Sequence, residues 1–157
     1  MKTYDRSVTR SLLWESLEMA HVRMQLIVWA VGYVLCLAIL FFEVRGTPQA
    51  IAITAIFTSV LFLVPLGYWL LRVWKIFRRM EAYVFCSTEL NQPHHAPFRR
   101  EMFSFMGVME TGEGRFAVET YPIFAGRGII QPLMEDYVGR TVTLGWNRET
   151  ENVVVIG

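Results

Sequence analysis

The sequence predicts an α+β membrane protein: an N-terminal amphipathic helix, a transmembrane two-helix hairpin, and a small five-stranded β-barrel-like domain of OB or SH3-like type. Three observations carry this. Met24 to Phe42 and Thr47 to Leu71 contain no charged residue, and a helix needs roughly 20 apolar residues to cross a bilayer core. Only a short polar break, Glu43 to Gln49, separates the two runs. Beyond residue 80 the pattern changes to short alternating segments punctuated by Gly, Pro and Asn, the signature of strands and turns. The expected division is 1–23 for the amphipathic helix, 24–79 for the hairpin, and 80–157 for the β domain.

Within 1–23, Val8, Leu12, Leu13, Leu17, Ala20 and Met24 recur at helical spacing, with Arg10, Glu15, Glu18 and Arg23 largely elsewhere. That pattern reads as one apolar stripe. Ser7 is the candidate N-cap. Two placements fit: flat in the membrane interface, or continuous with the first span, since no Pro or Gly interrupts the chain before Gly32.

The first span is expected near 25–42 and the second near 50–71. In the first, Gly32 and Cys36 make a small-xxx-small step that lets helix backbones approach. In the second, Ala50, Thr54 and Thr58 share one face, with Ala55 and Ser59 beside them. This small, weakly polar face is expected to meet the Gly32/Cys36 face, or another copy of itself. Pro48 suits the first turn of the second helix. Pro65 lies inside that helix and removes one backbone bond.

Trp14, Trp69 and Trp74 are candidate interfacial anchors, because indole rings settle at headgroup depth. Arg72, Lys75, Arg78 and Arg79 follow the second span with no acid among them, where anionic headgroups would lie. The connecting loop holds only Arg45. The positive-inside rule then predicts a multi-pass cell-membrane protein with both termini cytoplasmic. A cleaved signal peptide is not expected, since the first apolar run starts late and is longer than a signal h-region.

The tail is expected to form strands over 82–88, 101–109, 115–124, 140–146 and 153–156. Asn91 to Pro97 reads as a loop, Thr111 to Gly114 as a hairpin turn, and Asn147 to Asn152 as a second turn. Val142, Leu144 and Trp146 are expected inward, and the unbroken run Val153 to Ile156 is expected to be covered on both faces. The layout of a two-helix hairpin followed by a small β-barrel resembles the membrane-anchored OB-domain proteins of the NfeD group. The resemblance is architectural, implies an OB-like β domain, and carries no functional residue over.

Chemistry-bearing residues are sparse. No ionisable residue lies inside either span, although proton relays, ion coupling and voltage sensing need one. His94, His95 and Cys86 fall short of a four-ligand zinc set. Glu135, Asp136 and Glu119 read as solvated acids rather than a catalytic pair. Phe98, Phe103, Phe105 and Tyr121 could stack on single-stranded nucleic acid. Against this, residues 80–157 hold six Arg and ten acidic residues, a balance of −4, whereas such surfaces are basic. Cys36 and Cys86 are not expected to pair. No metal, cofactor or nucleic acid is expected, and the partners are membrane lipids together with a protein or a second copy of the chain. The expected function is non-enzymatic: a membrane anchor presenting a cytoplasmic β domain that binds or scaffolds a partner. A homo-oligomeric channel or tension-responsive pore lined by the second helix is the alternative.

Overall fold

The computed structural model describes residues 2–43, 48–91, 94–96, 99–111, 114–124, 132 and 135–157. The chain is α+β. Among the described residues three α-helices, α1 (Arg6–Glu15), α2 (Leu17–Glu43) and α3 (Pro48–Phe77), precede eight strands. These are β1 (Tyr83–Glu89), β2 (His94–Ala96), β3 (Arg99–Ser104), β4 (Met106–Thr111), β5 (Gly114–Glu119), β6 (Ile123–Phe124), β7 (Thr141–Asn147) and β8 (Val153–Ile156). Two compact units result: residues 22–74, and residues 1–21 together with 75–157.

The helical unit is a pair of long apolar helices. α2 and α3 are both long and apolar enough to cross a membrane. Their side chains face outward: Ile27, Val34, Ile53, Phe57 and Val64 are all more than 60% exposed. The helices run antiparallel, since Trp29 and Tyr33 both meet Phe62 while Tyr33 also reaches back to Ser59. The Tyr33 and Ser59 hydroxyls lie 3.0 Å apart, within hydrogen-bond reach. Gly32 is where the Phe62 ring comes closest, and a Cβ at that position would sit 2.9 Å from the ring edge.

The second unit gathers the chain's two ends. α1 is not continuous with α2. The break is at Ser16, whose backbone is extended. Its hydroxyl donates to the Leu13 carbonyl at 2.7 Å and accepts from the Met19 N–H at 3.2 Å. Ser16 is thus the N-cap of α2, satisfying one of the orphan donors of a helix start. The absence of Pro or Gly permitted a continuous helix, but a Ser that bonds both ways competes locally with helix propagation. At the other end of α1, Asp5 rather than Ser7 occupies the N-cap position, and its side chain makes no capping bond.

α1 turns Thr9 and Leu13 inward, 2% and 0% exposed. The segment before it joins β1 as an isolated antiparallel bridge. Lys2 N–H donates to the Phe85 carbonyl at 2.8 Å, and Phe85 N–H donates back at 2.9 Å. At the start of α2, the buried Glu18 carboxylate accepts the Val155 N–H at 2.8 Å. These contacts span more than 80 residues of sequence and make the N-terminal stretch part of the β domain.

The strands form three antiparallel sheets, ordered β1-β7-β8, β2-β3-β6 and β4-β5. No closed barrel forms among the described residues. The expected strand over 101–109 is interrupted at Phe105, which separates β3 from β4. The expected strand over 115–124 stops at Glu119 and resumes at Ile123, beyond Pro122, which has no N–H for a ladder. The expected loop over 91–97 contains β2, paired with β3 through a bulge at His95/Ala96. Short, interrupted strands do not carry a continuous ladder around a barrel. Instead the sheets share one core, centred on Leu90, Phe103, Phe105, Met109, Leu144 and Val155. β4 and β5 form the expected hairpin, with Thr111 opposite Gly114. All four residues of β8 are buried, as its apolar run predicts.

Candidate functional site

Two features of the β domain carry chemistry: a clamp on the last turn of α3 and a polar cleft beside β1. The clamp answers a requirement of any helix end, where the last four carbonyls lack helical partners. α3 ends at Phe77, and Arg79 adopts the left-handed conformation, with φ 56°, a common way to leave a helix. The orphan carbonyls are then met by side chains from far along the chain. Asn152 Nδ2 donates to the Lys75 carbonyl at 3.1 Å. The Tyr83 hydroxyl donates to the Ile76 carbonyl at 3.0 Å. Asn147 Nδ2 donates to the Arg78 and Arg79 carbonyls at 3.2 and 2.9 Å.

Asn147 is fully buried. Its Oδ1 accepts the Glu149 and Thr150 N–H groups, each at 3.0 Å. Both amide hydrogens and both oxygen lone pairs are therefore used, the full capacity of an Asn side chain. One residue closes the β7–β8 turn and ties it to the end of α3. The Arg79–Glu149 ion pair, 3.3 Å with both side chains more than half exposed, adds little, as exposed pairs are screened by water.

The cleft has a volume of about 680 Å³ and is lined by Lys2, Tyr4, Phe85, Cys86, Ser87, Thr88, Val108, Glu110, Arg115 and Thr143. β1 and β7 supply its floor, since Ser87 and Thr143 face each other in the ladder. Lys2 and Tyr4 stand on one side, and the β4–β5 hairpin brings Glu110 and Arg115 as an ion pair. β1 and β4 approach without a continuous ladder; the Thr88 hydroxyl donates to the Val108 carbonyl at 2.8 Å. Burial pushes the Cys86 thiol up from its ordinary range, so the protonated, weakly nucleophilic form dominates. Hydroxyls, an opposed charge pair and a tyrosine ring suit recognition of polar surface.

No family model, curated protein or solved structure matches this chain. The resemblance to the NfeD group accordingly rests on layout alone.

The residues singled out from sequence fall in several places. Gly32 receives the Phe62 ring, and Cys36 is half-buried nearby on α2. Thr58 is half-buried; Thr54 is exposed and donates to the Ala50 carbonyl of its own helix at 2.9 Å. Trp14 and Trp74 are about half exposed and Trp69 is half-buried. Lys75, Arg78 and Arg79 are exposed, whereas Arg72 is buried, at 7% exposure. Cys36 and Cys86 are both free thiols.

Phe103 and Phe105 are fully buried and stack edge to face, so neither can offer a ring to a nucleic-acid base; Phe98 lies outside the described residues. The side chains of His94 and His95 also lie outside them. Glu135 and Asp136 are exposed, and Glu119 accepts from the Ser104 hydroxyl. Among the described residues no group of three metal-ligating side chains comes together. No sequence pattern marks the break at Ser16 or the partners of Glu18, Asn147 and Asn152. Asn147 and Asn152 bracket the recognised turn, which is the local signal, but their partners lie about 70 residues away.

Proposed function

We propose that this protein is a non-enzymatic membrane anchor: α2 and α3 cross the bilayer and carry a cytoplasmic β domain that binds a protein partner at the cleft beside β1. The observation that supports this best is the outward apolar surface of both long helices. Each Leu, Ile, Val or Phe side chain left in water forgoes roughly 1.5–3 kcal/mol of burial, and a monomer seldom exposes so large an apolar patch unless something covers it. Lipid covers it over the whole helix length. The basic residues after α3 and the uncharged spans favour the orientation with both flanks inside the cell.

The engaged hydroxyls favour anchoring over a pore. Thr54 donates to its own helix and Ser59 is bonded to Tyr33, which engages two of the hydroxyls that a water-filled path along α3 would use. An apolar groove on α3, about 450 Å³ and lined by Ala55, Ile56, Ser59, Val60, Leu63 and Val64, gives a second copy a place to pack.

Two measurements test the reading. Alkaline carbonate should leave the protein in the membrane pellet, and release into the supernatant would refute the anchor. A photo-crosslinking residue at exposed Ser87, in the cleft, should yield a discrete adduct that one at exposed Arg140 does not. Identical adduct patterns, or none, would remove the cleft as the binding site.

A further inference from the structure

We propose that the outer face of α1 binds the phosphate-bearing headgroup of an anionic membrane lipid. This rests on the membrane-spanning reading above. α1 packs inward through Thr9 and Leu13, leaving Val8 44% and Trp14 48% exposed on its other side. Ser7, Arg10, Ser11 and Trp14 line a groove of about 350 Å³. The Trp14 ring lies 6.2 Å from that of Phe77, the last residue of α3. Trp14, at one edge of the groove, therefore sits beside a residue only six positions past Leu71, where the uncharged run of α3 ends.

The chemistry of the groove matches such a headgroup. A guanidinium binds phosphate through paired N–H groups, here from Arg10, and the Ser7 hydroxyl is a further donor. The Ser11 hydroxyl donates to the Glu15 carboxylate at 3.4 Å in an exposed pair. Exposed Lys75 and Arg78 add positive charge at the end of α3. An indole is stable where its ring is in hydrocarbon and its N–H is wet, and Trp14 gives the groove an apolar wall that a soluble phosphate would not use.

The full chain is reconstituted in phosphatidylcholine nanodiscs with and without phosphatidylglycerol. Lipid retained after mild detergent extraction is then counted by native mass spectrometry. Phosphatidylglycerol should be retained preferentially. Arg10→Gln should lower its occupancy about fivefold, a basic residue at a membrane surface contributing about 1 kcal/mol, and Trp14→Ala should lower it further. Arg140→Gln removes the same charge from an exposed site before β7 and should leave retention unchanged. Equal retention by Arg10→Gln and the unaltered protein, or equal loss in Arg10→Gln and Arg140→Gln, overturns the proposal. So does displacement by soluble glycerol phosphate, which would identify a free-phosphate pocket. Insertion without headgroup preference sinks this site alone; failure to enter nanodiscs sinks the membrane reading as well.

Discussion

At the scale of single residues, Asn147 has the most to lose. Its amide satisfies two carbonyls beyond α3 and two N–H groups of the β7–β8 turn. Replacing it by Ala removes four part-buried hydrogen bonds; a group left buried and unmet costs about 1–3 kcal/mol and one that water can reach costs less. Asn147→Ala should therefore destabilise the β domain by roughly 2–4 kcal/mol, read as a lowered Tm in detergent. Asn147→Asp keeps the two acceptor bonds but sets a buried carboxylate oxygen against the Arg78 and Arg79 carbonyls, so it should destabilise as well; a Tm equal to that of the unaltered protein in either variant would refute the clamp. Cys86 gives a pH test. Burial holds its thiol above the ordinary range, so the folded state keeps the proton more tightly than the unfolded chain does. The associated stability is present at low pH and is lost as pH rises through the ordinary thiol range toward the folded value. In a Cys36→Ala background, alkylation of Cys86 should be slower than that of a free thiol near neutral pH, and its rate should keep climbing after the free thiol has levelled off. Tyr137 behaves likewise at higher pH, raised by burial and then by the Glu18 and Asp136 carboxylates. Neither effect is legible from sequence. An Asn at a strand end marks a turn, but the carbonyls it caps are set by tertiary folding.

At the scale of elements, close approach and capping decide the packing. The Phe62 ring fits against Gly32 and is itself held between Trp29 and Tyr33. Gly32→Val forces the ring off these neighbours and should loosen the hairpin by about 1–3 kcal/mol, the usual cost of overpacking, seen as a lower detergent-melting temperature. Gly145 is as tightly set: a Cβ there would meet Phe85 at 2.8 Å and Val154 at 2.9 Å, so Gly145→Ala should destabilise the β1-β7-β8 sheet by a similar amount. Ser16→Ala removes the α2 cap and should cost about 1 kcal/mol. The two long helices, the β4–β5 hairpin, β7 and β8 were legible because their patterns are local: uncharged runs, a Gly-containing turn, strict alternation, an apolar tetrad. The barrel was not. Strand continuity through Phe105 and past Pro122 depends on which neighbours supply hydrogen bonds, and short apolar segments with mixed alternation leave that open. The break at Ser16 was hidden for a related reason, since the side-chain bonds that stop a helix there compete almost evenly with continuing it.

At the scale of the whole molecule, the decisive fact is that residues 2–21 fold with residues 75–157. Lys2 pairs with Phe85, Glu18 holds Val155, and Leu13 is buried. A unit assembled from both flanks of a hairpin can form only if both flanks are on one side of the bilayer. On the proposed membrane-anchor reading the number of crossings must then be even, and the two helices long and apolar enough to span match that requirement. On that reading both flanks share one side without any appeal to loop charge, and loop charge alone names that side as the cytoplasm. In a Cys36→Ala, Cys86→Ala background, single cysteines placed at Gln49 and at Glu151 should react with a membrane-impermeant maleimide from opposite sides: Gln49 in intact cells, Glu151 only after permeabilisation. Labelling of both in intact cells would put the β domain outside. Labelling of neither would place the link inside and leave the helices uncrossed. The co-folding also predicts that Glu18→Gln, which removes the charge yet keeps an acceptor for Val155, is milder than Glu18→Ala. The alanine leaves a buried N–H unmet, at about 1–3 kcal/mol, and should weaken the join between the N-terminal segment and β8. Limited proteolysis should then cut between Met1 and His21 in Glu18→Ala well before the β domain itself is lost.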